Sequence, residues 1–438
     1  MVVRGTMWYN YPCSYGTLYQ FDVEKAFPNA DLDGEEIYMH TPTEVAERLG
    51  ILTRSYLRLL KALYGLKQAS RAWYKTVAEL LLASDYVLRS KLDNCMFYQH
   101  RHDTRLWIVI HVDDFALAAT TMEQVNEFAD KLKSKFTIKL KALDKFLGLE
   151  VIYNREDRYL YFHLRTYILQ QVAKFEQILG KAFTVSHSPG DPNIKMHKRL
   201  DSEPRANGEL YRNIVGVEMY VSTAGRIDTE YSANRLSRYM QDPSDIHFEQ
   251  AIKLLAYLKS YPNKAIRYYV SSNPSRNQGH FAMVDSDHAG CPDTRRSTTG
   301  FIEYYANGPI GWATRLQPSA SGGGPTESEY KAVYSCGTET VHKRQLLIEI
   351  GLPQTEPTTI FEDNEATILL SYGNTGTQKI KSVDIKYHVI KDWVADHLIK
   401  LVGIKSADND SDMMTKHLAP TPHHKCNNRV MYDIPPEL

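Results

Sequence analysis

Two adjacent aspartates, Asp113 and Asp114, interrupt a run that is otherwise apolar, Leu106-Trp107-Ile108-Val109-Ile110-His111-Val112 before them and Phe115-Ala116-Leu117-Ala118-Ala119 after. The run reads as a strand hairpin over residues 105–120, since apolar, β-branched segments broken by turn residues pair in this way. Burying an unpaired carboxylate is costly. Two neighbouring carboxylates also repel, which raises at least one pKa unless a cation intervenes. Asp is equally a good turn residue, so a plain polar turn explains the pair as well. Asp22, at the end of a second short apolar stretch, shifts the balance. A third carboxylate beside the first two would form an oxygen cage suited to Mg²⁺. Two such ions can clamp the attacking and leaving oxygens of a phosphoryl transfer.

The rest of the chain bounds the alternatives. Its 438 residues predict two to four domains. Lys plus Arg and Asp plus Glu are 52 each, so a globally basic nucleic-acid coat is excluded but local basic patches are not. Cys13, Cys95, Cys291, Cys336 and Cys426 form no C-x-x-C pair and read as free thiols of a reducing compartment. No apolar run approaches the ~20 residues of a membrane span, and no leader-like apolar core opens the chain. Phosphate-loop and serine-elbow motifs do not occur.

Pro, Gly, Asn and Asp mark breaks at 187–209 and 271–279. They predict blocks 1–186, 187–275 and 276–420, with a tail 421–438 that frays. The first block predicts helical periodicity over 54–83 broken at Gly65, the hairpin, a helix over 122–135 and short strands over 136–162. Residues 210–262 read as mostly helical. The last block predicts strands to about 315, then helix, strand, helix, helix, strand and helix. His423, His424 and Cys426 lie together in the tail but lack a second ligand pair, and are read as no metal site.

The stretch Asp22-Val23-Glu24-Lys25-Ala26-Phe27, the run Leu63-Tyr64-Gly65-Leu66-Lys67-Gln68-Ala69-Ser70-Arg71-Ala72-Trp73-Tyr74 and Val112-Asp113-Asp114 resemble the reverse transcriptase of copia-type LTR retrotransposons. Residues 146–150, 211–216 and 234–237 extend the resemblance, which covers about 18–420 with the last block. It implies a right-hand polymerase palm with partial fingers over 1–186 and a linker with a helical thumb or connection over 187–275. Asp22 and Asp113 would hold two metals and Asp114 would support them. Phe27 would stack under the incoming sugar and exclude a 2′-hydroxyl, unless it is plain core. Gln68 would meet the incoming nucleotide, and residues 146–150 would lie at the primer grip. Lys67, Arg71 and Lys75, at four-residue spacing with Trp73 and Tyr74 between, would follow a nucleic-acid backbone. His111 stands where the family has Tyr, Phe115 where it has Met, and Pro28 where it has Leu. The family also has a longer fingers region than the 21 residues before Asp22, so the resemblance implies an N-terminally truncated copy whose polymerase is weak.

In the last block Asp285, Glu329, Asp363 and Asp412 each stand at the mouth of a different expected element. Each has an ordinary explanation: Thr326 and Glu329 fit a capping box, Asp363-Asn364 fits an N-cap, and Asp412 lies in an acidic loop. In this order they resemble the ribonuclease H that follows copia-type polymerases, a mixed sheet with helices over 276–420. Residues 308–312 and 383–388 match too. His388 would position substrate or release product, or is simply a satisfied helix histidine. Gly322, Gly323 and Gly324 replace a serine-rich strand end and are expected to loosen Glu329. His288 replaces a Trp.

The resemblance thus implies an α+β and α/β multidomain chain with RNA-directed DNA polymerase and ribonuclease H activities. Each site would use two Mg²⁺ ions, with Mn²⁺ as substitute. The implied partners are RNA template, primer, RNA–DNA hybrid, deoxynucleoside triphosphates and other products of the same polyprotein, and not a membrane. The setting would be the cytoplasm and a virus-like particle, with nuclear entry before DNA integration. The alternative is a decayed, inactive remnant that folds and binds nucleic acid. Residues 276–438 are expected to work alone.

Overall fold

The computed structural model describes residues 17–435 apart from 33, 35, 53–54, 85–86, 155, 158, 270–278 and 374–387. The break expected at 271–279 and the match at 383–387 therefore lie almost wholly outside the described residues. The chain divides into two compact units, 14–147 and 148–438.

In the first unit the strands are β1 (Thr17–Val23), β2 (Tyr38–His40), β3 (Tyr56–Arg58), β4 (Val87–Arg89), β5 (Met96–Arg101), β6 (Thr104–His111), β7 (Asp114–Ala119) and β8 (Ile138–Ala142). Helices α1 (Thr43–Leu49), α2 (Ala69–Leu82) and α3 (Met122–Lys133) lie between them. An antiparallel sheet runs in the order β4-β5-β6-β7-β1-β8. Phe21, Phe97, Ile108, Phe115 and Leu117 are fully buried in one cluster with Trp73 and Val77 of α2 and Val125 and Phe128 of α3. Helix α3 starts where the Thr121 hydroxyl accepts from Gln124 N, and Lys131 and Lys133 sit at its negative C-terminal end.

The hairpin, the 122–135 helix and the short strands after it form as expected. The helix expected over 54–83 does not begin until Ala69, because residues 56–58 pair with 38–40 in a two-stranded ribbon. Gly65 takes a left-handed turn, φ 95°, before α2. Lys67 therefore precedes the helix, while Arg71 and Lys75 lie on its exposed face. Trp73 points the other way: it is 1% exposed, and its indole donates to the Val112 carbonyl at 2.5 Å. It supports the hairpin turn and offers no stacking face.

The second unit opens with β9 (Leu149–Asn154), β10 (Tyr159–His163) and α4 (Arg165–Leu179). Helices α5 (Gly208–Ala224), α6 (Glu230–Ser237) and α7 (Asp245–Ser260) follow, then β11 (Lys264–Tyr269), which pairs with β10. Strands β12 (Phe281–Asp287), β13 (Thr298–Tyr305), β14 (Gly308–Leu316), β15 (Thr358–Glu362) and β16 (Ile399–Gly403) form a mixed sheet in the order β14-β13-β12-β15-β16. The β12–β15 and β15–β16 pairs are parallel and the others antiparallel. Helices α8 (Pro325–Glu349), α9 (Glu365–Ser371), α10 (Val389–Ala395) and α11 (Pro420–Val430), then β17 (Tyr432–Asp433), complete it. No described helix is long and apolar enough to cross a membrane.

Two segments differ from expectation. Of residues 187–209, those up to 207 are irregular, as their composition demands, but they are pinned: Asp191 N donates to Gln250, Lys198 N to Asp293 and Arg199 to Asp242. The tail is ordered as far as residue 435. Its helix α11 buries His423, Cys426, Asn427 and Val430, and β17 pairs with β11. The polar residues of α11 are buried because partners meet them. Asn427 Nδ2 reaches Asp228 and Tyr257, and the His423 ring bonds the Asp228 carbonyl. Asp228 is itself held by a two-pronged Arg226 and by the Tyr257 hydroxyl. Burial alone would raise the Asp228 carboxyl, but Arg226 outweighs it and holds the group below the usual range.

Glu218 of α5 has no such company. It is fully buried, neither carboxylate oxygen meets a donor, and burial pushes its pKa well up. A raised folded pKa gives stability that is complete below the unfolded value near 4.5 and lost as pH rises toward the folded one. Glu218→Met, similar in length and without the orphan oxygens, is therefore expected to stabilise the fold at pH 8 by about 1–3 kcal/mol. The gain should shrink toward acid pH. Denaturant midpoints across pH check this, and a variant that is destabilised at pH 8 rules it out.

Candidate active sites

In the first unit the antiparallel register sets Asp22 of β1 opposite Asp114 of β7, and Val23 N donates to the Asp113 carbonyl at 3.3 Å. Like charges directly opposed on a sheet destabilise it. All three carboxylates are half-buried. Burial, then Asp113 and Asp22, raise the Asp114 pKa. The turn between β6 and β7 is also strained, because the β-branched Val112 has φ 56°. His111 faces Asp114 across this turn and is exposed. The oxygens of Asp22, Asp113 and Asp114 are not gathered as a set within 4.8 Å.

The other candidates of this unit are spread around it. Phe27 is 8% exposed within the core cluster, its ring 4.6 Å from that of Tyr64. Pro28 fits where it stands, at the start of the 3-10 turn Phe27–Asn29, where a missing N–H costs nothing. Gln68 is exposed at the N-cap of α2, next to Lys67 and one turn from Arg71.

The second unit holds a tighter cluster. Asp285 stands on β12, Glu329 in the second turn of α8, and Asp363 directly after β15. One carboxylate oxygen from each lies within 4.8 Å of the others, the only such group among the described residues. Asp285 is 5% and Glu329 7% exposed. Burial raises Asp285 to about 6, against the pull of Lys416. Burial, then Glu362 and Asp285, raise Glu329 much further, and its Oε2 meets no donor. The Thr415 hydroxyl donates to Asp285 and the Ser406 hydroxyl to Asp363. Asp412, in the 3-10 turn Asp410–Met414, accepts from Lys416 at 2.9 Å and stays outside the group of three.

The local fold disposes of two ordinary explanations. The N-cap of α8 is Gly324, not Thr326. Glu327, rather than Glu329, takes the Gly323 N–H at 2.6 Å and pairs with Lys331 at 2.7 Å. The N-cap of α9 is Asn364, whose side chain accepts from Thr367 N, so the Asp363 carboxylate is left to the cluster. One of the glycines before Glu329 also has a conformational role. Gly324 has φ 84° and ψ −165°, a conformation essentially closed to other residues, and it turns the chain into α8. Gly324→Ala is expected to cost about 1–3 kcal/mol and to shift Glu329 within the cluster, which would lower its affinity for a divalent cation. Thermal melts with and without Mn²⁺ check both, and a variant as stable as the parent counts against the turn.

The sequence reading missed Glu362, which is wholly buried, accepts from Asn364 N at 3.0 Å, and leaves Oε2 without a donor. It also gave no role to Ser406, Thr415 or Lys416. The signal for Glu362 was available: Thr358, Ile360 and Glu362 share the buried face of β15 at period two. His388 is half-buried at the N-cap of α10 and lies outside the cluster. His423 and Cys426 are buried in α11, away from this cluster.

Residues 14–187 match the family of reverse transcriptases (RNA-dependent DNA polymerases). The chain is 30% identical over 420 residues to the retrovirus-related Pol polyprotein of transposon RE1 from Arabidopsis thaliana, covering 95% of this chain and 28% of that one. It is 28% identical to the corresponding polyprotein of transposon TNT 1-94 from Nicotiana tabacum, covering 94% and 30%. A foamy viral protease-reverse transcriptase, solved in complex with an RNA/DNA hybrid, has a similar fold. That likeness has a TM-score of 0.50 at 10% identity and covers 92% of this chain and 45% of that one. The opposed acids Asp22 and Asp114 lie within the segment that matches the reverse transcriptase family. Over nearly its whole length the chain is similar to the Pol polyproteins of these plant retrotransposons, and it spans less than a third of the length of either relative.

Proposed function

We propose that this chain is an RNA-directed DNA polymerase joined to a ribonuclease H, with residues 14–147 as palm and the β12–β16 sheet as the nuclease. The observation that carries the nuclease is the Asp285, Glu329 and Asp363 cluster. Three carboxylates so close, with an orphan buried oxygen on Glu329, form a donor set that divalent cations fit. Asp285, Glu329 and Asp363 would hold Mg²⁺ or Mn²⁺, with Asp412 close by, and Asp22, Asp113 and Asp114 would do so in the palm. When bound, such ions supply charge stabilisation for phosphoryl transfer. The residues themselves act by position: Thr415 and Ser406 fix Asp285 and Asp363, while the Gly324 turn sets Glu329. Phe27 would flank the nucleotide sugar from its packed position. Gln68, Lys67 and Arg71 would contact nucleotide or strand from the exposed start of α2, and His388 the hybrid.

The proposed substrates are RNA template, primer, deoxynucleoside triphosphates and the RNA strand of an RNA–DNA hybrid, whose shape and 2′-hydroxyls distinguish it from duplex DNA. Other products of the same polyprotein are proposed partners, in the cytoplasm or a virus-like particle with later nuclear entry. One observation favours a weaker polymerase than nuclease: the palm acids are less tightly gathered than the second cluster. The test gives the purified chain Mg²⁺ with a primed RNA template and, separately, a labelled hybrid. Cleavage confined to the RNA of the hybrid, with little extension, is expected. An intact hybrid, with binding retained, would favour the inactive remnant.

A further inference from the structure

Lys416 is set among carboxylates rather than beside one. The 3-10 turn Asp410–Met414 and the residues after it bring its Nζ to 2.9 Å from Asp412 Oδ1, four residues back. The same ammonium acts on Asp285, Asp287 and Glu329. Asp287 also feels Arg235 and His288, whereas Lys416 is the cation that Asp285 and Glu329 share. Thr415, its neighbour, donates to Asp285, so residues 415–416 bind this turn to β12 and to Asp412 at once. The Lys416 side chain is 43% exposed, so it stands at the mouth of the cluster and not in the core. An i,i+4 pair partly open to solvent adds little to stability, so the placement of this cation against several acids is not explained by the pair alone. Asp412, the carboxylate it engages, is the one left outside the tight group of three.

We infer that Lys416 is a positioning residue whose ammonium stands in the place of one divalent cation, and that it thereby sets how tightly the cluster takes its second ion. The inference rests on the metal-dependent reading above. A lysine suits this role. Its ammonium is a compact single charge on a flexible four-carbon stem, so it neutralises the acids without the oxygen coordination that a divalent cation prefers. A second ion drawing on Asp412 must displace it. Before that exchange Lys416 limits the repulsion among the acids, and afterwards the free stem can reach a bound phosphate.

Mn²⁺ binding to the full chain tests this, by calorimetry and by the electron paramagnetic resonance of free Mn²⁺. The parent, Lys416→Gln and Lys416→Arg are each compared with the same chain carrying Asp363→Asn, which isolates the contribution of this cluster from that of the palm. Circular dichroism shows that each variant is folded. Lys416→Gln removes the charge and should tighten the weaker Asp363-dependent ion about tenfold or more. Lys416→Arg keeps the charge and should stay within about twofold of the parent. Unchanged or weaker binding in Lys416→Gln overturns the inference and leaves the pair a simple staple of the turn. Absence of Asp363-dependent binding in the parent and both variants overturns the metal-dependent reading itself, and this inference with it.

Discussion

Asp363→Asn is expected to abolish cleavage of the RNA strand of a hybrid, by about 10³-fold or more, while the melting temperature stays the same or rises. The loss follows from the position of the side chain. Asp363 is the most open of the three clustered carboxylates and stands directly after β15. On the proposed function, removing its charge at nearly constant volume would take away a metal ligand, and the stabilisation of transition-state charge by a bound metal is worth several kcal/mol, with about 1.4 kcal/mol for each factor of ten in rate. The fold should not suffer. Asp363 repels Asp285, Glu329 and Glu362, so its neutralisation relieves like-charge contact. The Ser406 hydroxyl can still donate to the amide oxygen. Rates on a labelled hybrid, with calorimetric melts alongside, separate the two effects. A variant that cuts as fast as the parent would remove Asp363 from the site.

What could be read from the sequence depended on whether the physical cause was local. The β6–β7 hairpin was legible because its apolar residues and its turn lie within one run. The element order from β12 to β16 was legible for the same reason. Asp285 and Asp363 could be placed at strand ends because strand and carboxylate are adjacent. The paired strands β2 and β3 were not legible, since Tyr56-Leu57-Arg58 also fits a helix and only the distant Tyr38–His40 decides the matter. Trp73 looked like a stacking residue because its exposed neighbours Arg71 and Lys75 suggested a nucleic-acid face. Its true partner, the Val112 carbonyl, is 39 residues away. The tail looked free because His423 and Asn427 are polar, and their partner Asp228 lies nearly 200 residues earlier.

That distance has a consequence for dissection. Residues 276–438 contain the whole acidic cluster and a complete run of strands and helices, yet on their own they are expected not to fold cooperatively, whereas residues 148–438 should. The cut would strip β17 of β11, its partner through Lys264↔Asp433 and Ala265↔Tyr432. It would also remove Asn234, whose amide donates to the Thr314 carbonyl, Ser222, whose carbonyl accepts from the Trp312 indole, and Tyr268, whose hydroxyl donates to the Pro309 carbonyl. Asn427 and His423, each 2% exposed or less, would lose Asp228 and Tyr257. A buried polar group left without its partner costs about 1–3 kcal/mol, and the whole stability of a domain is about 5–15 kcal/mol. Several such losses, with the apolar packing that accompanies them, are enough to remove the folded state. Gly308 leaves little room for adjustment, since a Cβ there would lie 2.4 Å from the Arg267 carbonyl. Near-ultraviolet circular dichroism and thermal melts of the two fragments decide the point. A sharp transition in residues 276–438, within a few degrees of the longer fragment, would show that these contacts are dispensable and that this block is a free-standing domain after all.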